Sequence, residues 1–286
     1  MVNFCVATSS EEMVPPDIAF LKDFLKAEKE VVLGSFGVQF EVEKKLIATD
    51  IKLPNGKQID LNFLSDNDRS VNLLVSDMDG TLLEEECIDE IAELVGKGSE
   101  VKKITALAMK EGLNFEEALV RRLALIKGTE IEVLEKCMAK RINIRYGAKV
   151  LFKTFKKHFG ETAILSGGFT FFSDRIQREL KADFSFANVL EFKNNRLTGK
   201  ILGSVINSEK KTELMKQLSA RQGKNISNAV AVGDGNNDIA MISESHMGIS
   251  FRGGDQVNLS AKHVLKNSNI SAILHLLGLR EDQFVY

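Results

Sequence analysis

Asp77-Met78-Asp79-Gly80-Thr81 stands directly after the apolar run Val71-Asn72-Leu73-Leu74-Val75. Two carboxylates two residues apart at the end of a buried strand point the same way and repel each other. A divalent cation is the natural group to hold them together, which points to phosphoryl chemistry. Three more polar clusters follow the same logic. Ser166-Gly167-Gly168 comes after Ile164-Leu165, and Lys211 lies on a later helix. Gly233-Asp234-Gly235-Asn236-Asn237-Asp238 comes after Val230-Ala231-Val232. In open α/β sheets, ligands bind outside the carboxyl ends of the strands.

Asp77, Asp79 and Asp234 would converge at one such edge, where three uncompensated carboxylates are costly. Mg²⁺ removes the problem, because it favours one or two carboxylates plus waters and phosphate oxygens. It would also keep Asp77 ionised and able to act as a nucleophile. Gly167 and Gly168 allow close backbone approach, and the helix after them offers free N–H groups to an anion. Ser208 reads as a helix N-cap, which puts Lys210 and Lys211 in a first turn where the dipole disfavours cations. A bound phosphate would reverse that preference. Each cluster alone has a plainer reading: a turn, a loop, or a solvated helix residue. All four in this order, each after the expected element, are hard to explain as turns.

The elements that must position these residues are short unalternated apolar runs at Leu73–Val75, Ala163–Leu165 and Ala229–Val232, with Met247–Ile249 weaker. They suit parallel strands buried on both faces, with amphipathic helices between them. This predicts an α/β fold with a doubly wound parallel sheet over 70–83 and 147–286. A helical cap interrupts it over 84–146. There, Ser99 opens a helix that stops at Gly112, Asn114 with Glu117 opens another that Gly128 closes, and Thr129 with Glu132 opens a third. Residues 1–69 form a small N-terminal α+β domain without a catalytic motif. In it, Val2–Ala7 is a strand and Pro15-Pro16-Asp17 opens a helix to about Glu30. Val31–Val42 and Leu46–Leu61 are extended, with a hairpin turn at Pro54-Asn55-Gly56-Lys57.

Here the order and spacing resemble the haloacid dehalogenase superfamily, whose phosphatases use an aspartate nucleophile. The likeness runs from about Val71 to Leu277. Within it, Glu86-Cys87-Ile88-Asp89-Glu90-Ile91-Ala92, Leu113-Asn114-Phe115 with Arg122, Ser166 to Phe172, Phe186-Ala187-Asn188 and Leu197-Thr198-Gly199 resemble the phosphoserine phosphatase family. The resemblance implies a Rossmann-like core and Mg²⁺-dependent hydrolysis of O-phospho-L-serine, the last step of serine biosynthesis, through an aspartyl phosphate. It makes Asp77 the nucleophile and Asp79 the general acid, then base. The metal would be held by Asp77, the Asp79 backbone carbonyl and Asp234, with Asp238 behind. Ser166, Gly167, Lys211 and Asn237 would hold the phosphate. Glu86 and Arg122 would read the amino-acid part, under Met109 and Phe115. One departure is Gly80, where that family commonly has serine.

The cap residues make sense independently. Phe115 and Arg122 are seven apart on one helix and share a face, so Arg122 borders the stripe of Leu119 and Ile126. It is either an arginine snorkelling over the core edge or a bidentate partner for a carboxylate. Glu86 offers the opposite charge to an ammonium, and a site built on such pairings can reject analogues lacking the groups by roughly 10⁴-fold. Two alternatives share the sequence: a phosphotransferase or phosphatase for another small phosphate, and a non-catalytic amino-acid sensor working through residues 1–69.

The 286 residues carry a net charge of −2, which favours neither nucleic acid nor an anionic membrane as partner. No stretch of eighteen apolar residues exists. Three scattered cysteines and no signal-peptide pattern predict reduced thiols and a cytoplasmic protein. The four histidines lack zinc-site spacing. The expected partner is a small phosphate ester, with a homodimer left open.

Overall fold

The computed structural model describes residues 2–111, 114–221 and 228–286, with side chains of 108–111 left out. Gly112 and Leu113 lie outside the described residues, and so does the Met109 side chain.

The N-terminal unit comprises β1 (Asn3–Thr8), α1 (Pro15–Phe24), β2 (Glu30–Gly34), β3 (Gly37–Val42), β4 (Thr49–Lys52) and β5 (Gln58–Ser65). The strands form one antiparallel sheet in the order β2-β3-β1-β5-β4. Asp17 caps α1 by accepting the Val14 N–H at 3.1 Å. The helix ends at Phe24 rather than near Glu30. The extended stretch Val31–Val42 is split by a turn between Gly34 and Gly37. Residues Ile59 to Ser65 of β5 are all buried, because both faces of that strand are covered.

The larger sheet follows. Its central strand is β6 (Leu73–Ser76), which leads into the cap helices α2 (Cys87–Leu94), α3 (Gly98–Glu111), α4 (Phe115–Leu125) and α5 (Ile131–Lys140). The chain returns through α6 (Ala148–His158) to β7 (Glu161–Phe169), α7 (Thr170–Leu180), β8 (Phe184–Lys193) and β9 (Arg196–Leu202). Then come α8 (Ser208–Arg221), β10 (Ala229–Gly233), α9 (Ile239–Glu244), β11 (Met247–Phe251), α10 (Asp255–Ser260), β12 (His263–Leu265) and α11 (Ala272–Leu276). Seven strands run in the order β12-β11-β10-β6-β7-β8-β9. All pairs are parallel except β8 with β9. This is the expected α/β core with an inserted helical cap and a small N-terminal sheet.

Every residue of β6, β10 and β11 is buried. That explains their unalternated apolar sequences. One face packs on α6, α7 and α11 residues such as Phe152, Phe155, Phe172 and Leu274, in a core continuous with Leu119, Leu123, Ile126 and Leu134 of the cap. The other face packs on Leu214, Met215 and Leu218 of α8. Asn114 accepts the Glu117 N–H at 2.8 Å as the cap of α4, and Gly128 follows with φ +86°. Thr129 does not cap α5. Its hydroxyl donates to the Ile126 carbonyl at 2.6 Å, and the helix starts at Ile131. The cap of α8 is Asn207 rather than Ser208, since Asn207 Oδ1 accepts the Lys210 N–H at 2.9 Å.

Candidate active site

Sequence clusters far apart along the chain meet at the carboxyl edge of β6, β7 and β10. Asp77 directly follows β6, with its N–H bonded to the Val232 carbonyl of β10 at 2.9 Å. Lys211 on α8 is completely buried. Its Nζ donates to Asp77 Oδ1 and to Asp238 Oδ1, each at 2.7 Å. Burial alone would discharge this ammonium, but the carboxylates of Asp238 and Asp77 more than offset that and hold it charged, above the usual lysine range.

Asp79 points elsewhere. Its Oδ1 accepts the Cys87 N–H at 2.9 Å, and Ser166 Oγ donates to its Oδ2 at 3.3 Å. Burial raises its pKa, and the Asp77 charge adds to that, against the two hydrogen bonds. The two carboxylates of Asp-x-Asp are thus held differently: Asp77 faces a cation, and Asp79 favours its proton. Ser166 Oγ also accepts the Gly168 N–H at 2.8 Å, so the hydroxyl is fixed at both ends.

Carboxylate oxygens of Asp77, Asp234 and Asp238 lie within 4.8 Å of one another. Burial and the Asp77 charge push Asp234 up to about 7 and Asp238 to about 8. Lys211 offsets part of this charge, and the donors are all hard oxygens, which suits a divalent cation of the Mg²⁺, Mn²⁺ or Ca²⁺ kind rather than zinc. The residues therefore fit a metal. Among the described residues, the Asp79 carboxylate is not in this cluster.

Thr81 and Asn188 complete the framework, and sequence reasoning gave neither a role. Thr81 Oγ1 donates to Asp234 Oδ1 at 2.5 Å. Asn188 Nδ2 donates to the Gly167 carbonyl at 2.7 Å, and its Oδ1 accepts the Ile206 N–H at 2.8 Å. Thr81 stands inside the first motif and could have been read as its anchor. Asn188 carries no local signal, because its partners lie 21 and 18 residues away.

The cap comes down on this edge. A Cβ on Gly167 would sit 2.6 Å from Phe115 Cζ and 3.5 Å from Asn237 Nδ2, so only glycine allows this approach. Glu86 stands at the start of α2 without a side-chain hydrogen bond to the helix, and it is solvent-accessible. Desolvation in the cleft, then the charges of Asp79, Asp234 and Asp77, push its carboxyl well above the usual range. Arg122 is half-buried, and its Nε makes only a 3.4 Å bond to the Ala118 carbonyl of its own helix. Its charge acts on Asp89, whose buried Oδ1 has no partner among the described residues. Thus Phe115 and Asn237 meet at Gly167, the acidic cluster acts on Glu86, and Arg122 acts on Asp89 of α2.

This geometry can transfer a phosphoryl group. One carboxylate faces a buried ammonium, and burial biases a second beside it toward protonation, which is the pairing that nucleophilic phosphoryl transfer with acid–base help needs. Comparison with known proteins agrees. Residues 74–243 match the family model of haloacid dehalogenase-like hydrolases. A phosphoserine phosphatase of Archaeoglobus fulgidus is 38% identical over 239 residues, which is 84% of this chain and 69% of the relative. The solved structure of a phospho-aspartyl intermediate analogue of phosphoserine phosphatase superposes with a TM-score of 0.68 at 37% identity, covering 72% of this chain and 99% of that one. A hydrolase of the same family from Salmonella enterica serovar Typhi shares the fold, N-terminal unit included. Its TM-score is 0.81 at 23% identity, over 96% of this chain and 98% of that one. The chain belongs to the haloacid dehalogenase-like hydrolases, and within them to the phosphatases.

Proposed function

We propose that this enzyme hydrolyses O-phospho-L-serine with Mg²⁺, through an aspartyl phosphate on Asp77. The observation that carries the reading is the division of labour between Asp77, gripped by Lys211, and Asp79, kept prone to protonation. Relatives that are phosphoserine phosphatases support the choice of substrate. Hydrolysis of that ester would place the enzyme at the end of serine synthesis. Buried, unpaired thiols suit a reducing compartment such as the cytoplasm.

Asp77, Asp234 and the Asp79 carbonyl would hold Mg²⁺, with Asp238 behind. Once bound, the metal supplies positive charge against the phosphoryl oxygens and the Asp77 carboxylate. The carboxylate oxygen of Asp77 bonds to phosphorus while the bond to the serine oxygen breaks. Asp79 gives its proton to that oxygen. Then Asp79, now ionised, takes a proton from water. The water oxygen bonds to phosphorus, and the link to Asp77 breaks. Such acid–base help is worth roughly 10²–10⁴-fold. Lys211, Ser166, the Gly167 N–H and Asn237 hold the phosphoryl oxygens.

Glu86 meets the substrate ammonium, which favours the ionised carboxylate that the cleft otherwise disfavours. Arg122 meets the substrate carboxylate, and Phe115 closes over both. Water is excluded as the cap shuts.

A phosphate-release screen over phosphoserine, glycerol phosphate and p-nitrophenyl phosphate, with and without Mg²⁺, tests this. Phosphoserine should lead, and chelation should abolish turnover. Arg122→Ala should lower kcat/KM far more for phosphoserine than for p-nitrophenyl phosphate. Equal losses on both would remove Arg122 from recognition.

A further inference from the structure

The chain passes between core and cap twice, outward over residues 80–86 and back over 142–147. The two passes are tied together. Leu83 and Ile144 form an antiparallel bridge. Glu85 accepts from Asn143 N at 2.9 Å and Nδ2 at 2.8 Å. At the core end of this ladder, Arg145 takes the carbonyls of four consecutive residues. Its N–H donates to Leu82 O at 2.8 Å. Its Nε donates to Thr81 O, and one terminal nitrogen donates to both Gly80 O and Leu83 O, each at 3.0 Å.

These four residues directly follow Asp79 and form a single turn, in which Leu82 N and Leu83 N both donate to Met78 O at 2.9 Å. Thr81 in this turn holds Asp234. The core holds Arg145 itself. Its guanidinium lies 5.4 Å from the centre of the buried Phe251 ring, and its carbonyl accepts the Ala148 N–H that opens α6 at 3.1 Å. A planar fork with several donors suits this task, and a lysine ammonium does not reproduce it.

We propose that Arg145 is the pivot of the cap: a positioning residue that keeps the turn after Asp79 in its working shape while α2 to α5 open and close. By gathering the carbonyls on one side, it fixes the Gly80–Thr81 peptide and therefore the relative placement of Asp79 and Asp234. Without its side chain the carbonyls of Gly80, Thr81 and Leu83 lose their shared donor, and the turn relaxes independently of the cap. The inference rests on the proposed use of Asp77 and Asp79, and its test separates the two.

Full-length Arg145→Ala, Arg145→Lys and the parent are compared on p-nitrophenyl phosphate and phosphoserine with Mg²⁺, alongside hydrogen–deuterium exchange. A displacement of about 1 Å in such a site costs about 10²-fold. Both variants should therefore lose kcat to that extent on both substrates, with KM within about threefold of the parent. Guanidinium ion, well below denaturing concentration, should restore part of the rate to Arg145→Ala and none to the parent. Amides of 80–87 should exchange faster in both variants, while those of 208–221 stay unchanged. A kcat within about twofold of the parent, a loss confined to KM, or unchanged exchange over 80–87 overturns the pivot. Absence of turnover in the parent sinks the proposed chemistry instead, and the exchange pattern then decides the pivot alone.

Discussion

Gly80 has φ +72°, and a Cβ there would lie 2.5 Å from Asp234 Oδ2. Serine at this position would therefore have to displace the carboxylate that Thr81 anchors. The departure from the family pattern and the local packing of this chain fit each other. Gly80→Ser should cost roughly 1 kcal/mol or more of stability from the positive φ alone. It should also cut kcat by about tenfold through the shift of Asp234. Chemical denaturation and steady-state kinetics check both, and unchanged kinetics would mean that Asp234 has room to spare. At this scale the sequence was informative wherever a polar cluster followed an apolar strand, because strand ends bring such clusters to one edge. It was ambiguous at the start of α8, where Asn207 and Ser208 are both good caps and only the bond to Lys210 decides. Asn188 and Arg145 escaped because their partners are distant carbonyls and amides, and Thr81 because its partner is a carboxylate 153 residues away, none of which a spacing rule encodes.

The buried parallel strands were legible from their apolar runs, and the cap helices from their capping residues. The three-residue β12 is too short to leave a signal, and α1 ends early because its apolar periodicity does not mark a boundary. A contact between elements also ties the cap to the core. Asn207 Nδ2 donates to Glu116 Oε1 at 3.0 Å, joining the helix of Lys211 to the helix of Phe115 and Arg122. The pair is exposed, so its contribution is modest. Glu116→Ala should raise KM for phosphoserine a few-fold, about threefold, and leave kcat nearly unchanged. A fall in kcat with KM constant would mean that the pair acts on the chemistry rather than on closure.

The N-terminal unit is docked on the core by a polar lock whose purpose could not be read from residues 1–69 alone. Asp60 in β5 is fully buried. It accepts Asn267 N at 3.0 Å, Asn267 Nδ2 at 2.9 Å, Ser268 N at 3.0 Å and Ser268 Oγ at 2.7 Å. Next to it, the Asn62 amide pairs with Val264 N and O at 2.8 and 3.0 Å, covering edge strand β12. In the alternating sequence Ile59-Asp60-Leu61-Asn62-Phe63 these polar residues read as solvent-facing, and only the docked core turns them inward. Asp60→Ala should destabilise the whole protein by about 3 kcal/mol, since it strands several buried donors. A loss under about 1 kcal/mol would show that the lock is dispensable.

His263 of β12 adds a pH dependence. Burial lowers its pKa to about 4, and its Nδ1 has no partner among the described residues. The unfolded chain takes up the proton near 6.5 and the folded one near 4, so stability falls as pH drops through that window. His263→Leu should flatten the fall in Tm between pH 7 and 5. An unchanged slope would place the titrating group elsewhere.

At the scale of the whole molecule, the account depends on a phosphate passing through Asp77. Rapid-quench mass spectrometry of the protein mixed with phosphoserine and Mg²⁺ tests this most directly. The account predicts a transient phosphate adduct on the peptide carrying Asp77, absent in Asp77→Asn. Serine release with no such adduct, or an adduct on another residue, would contradict it.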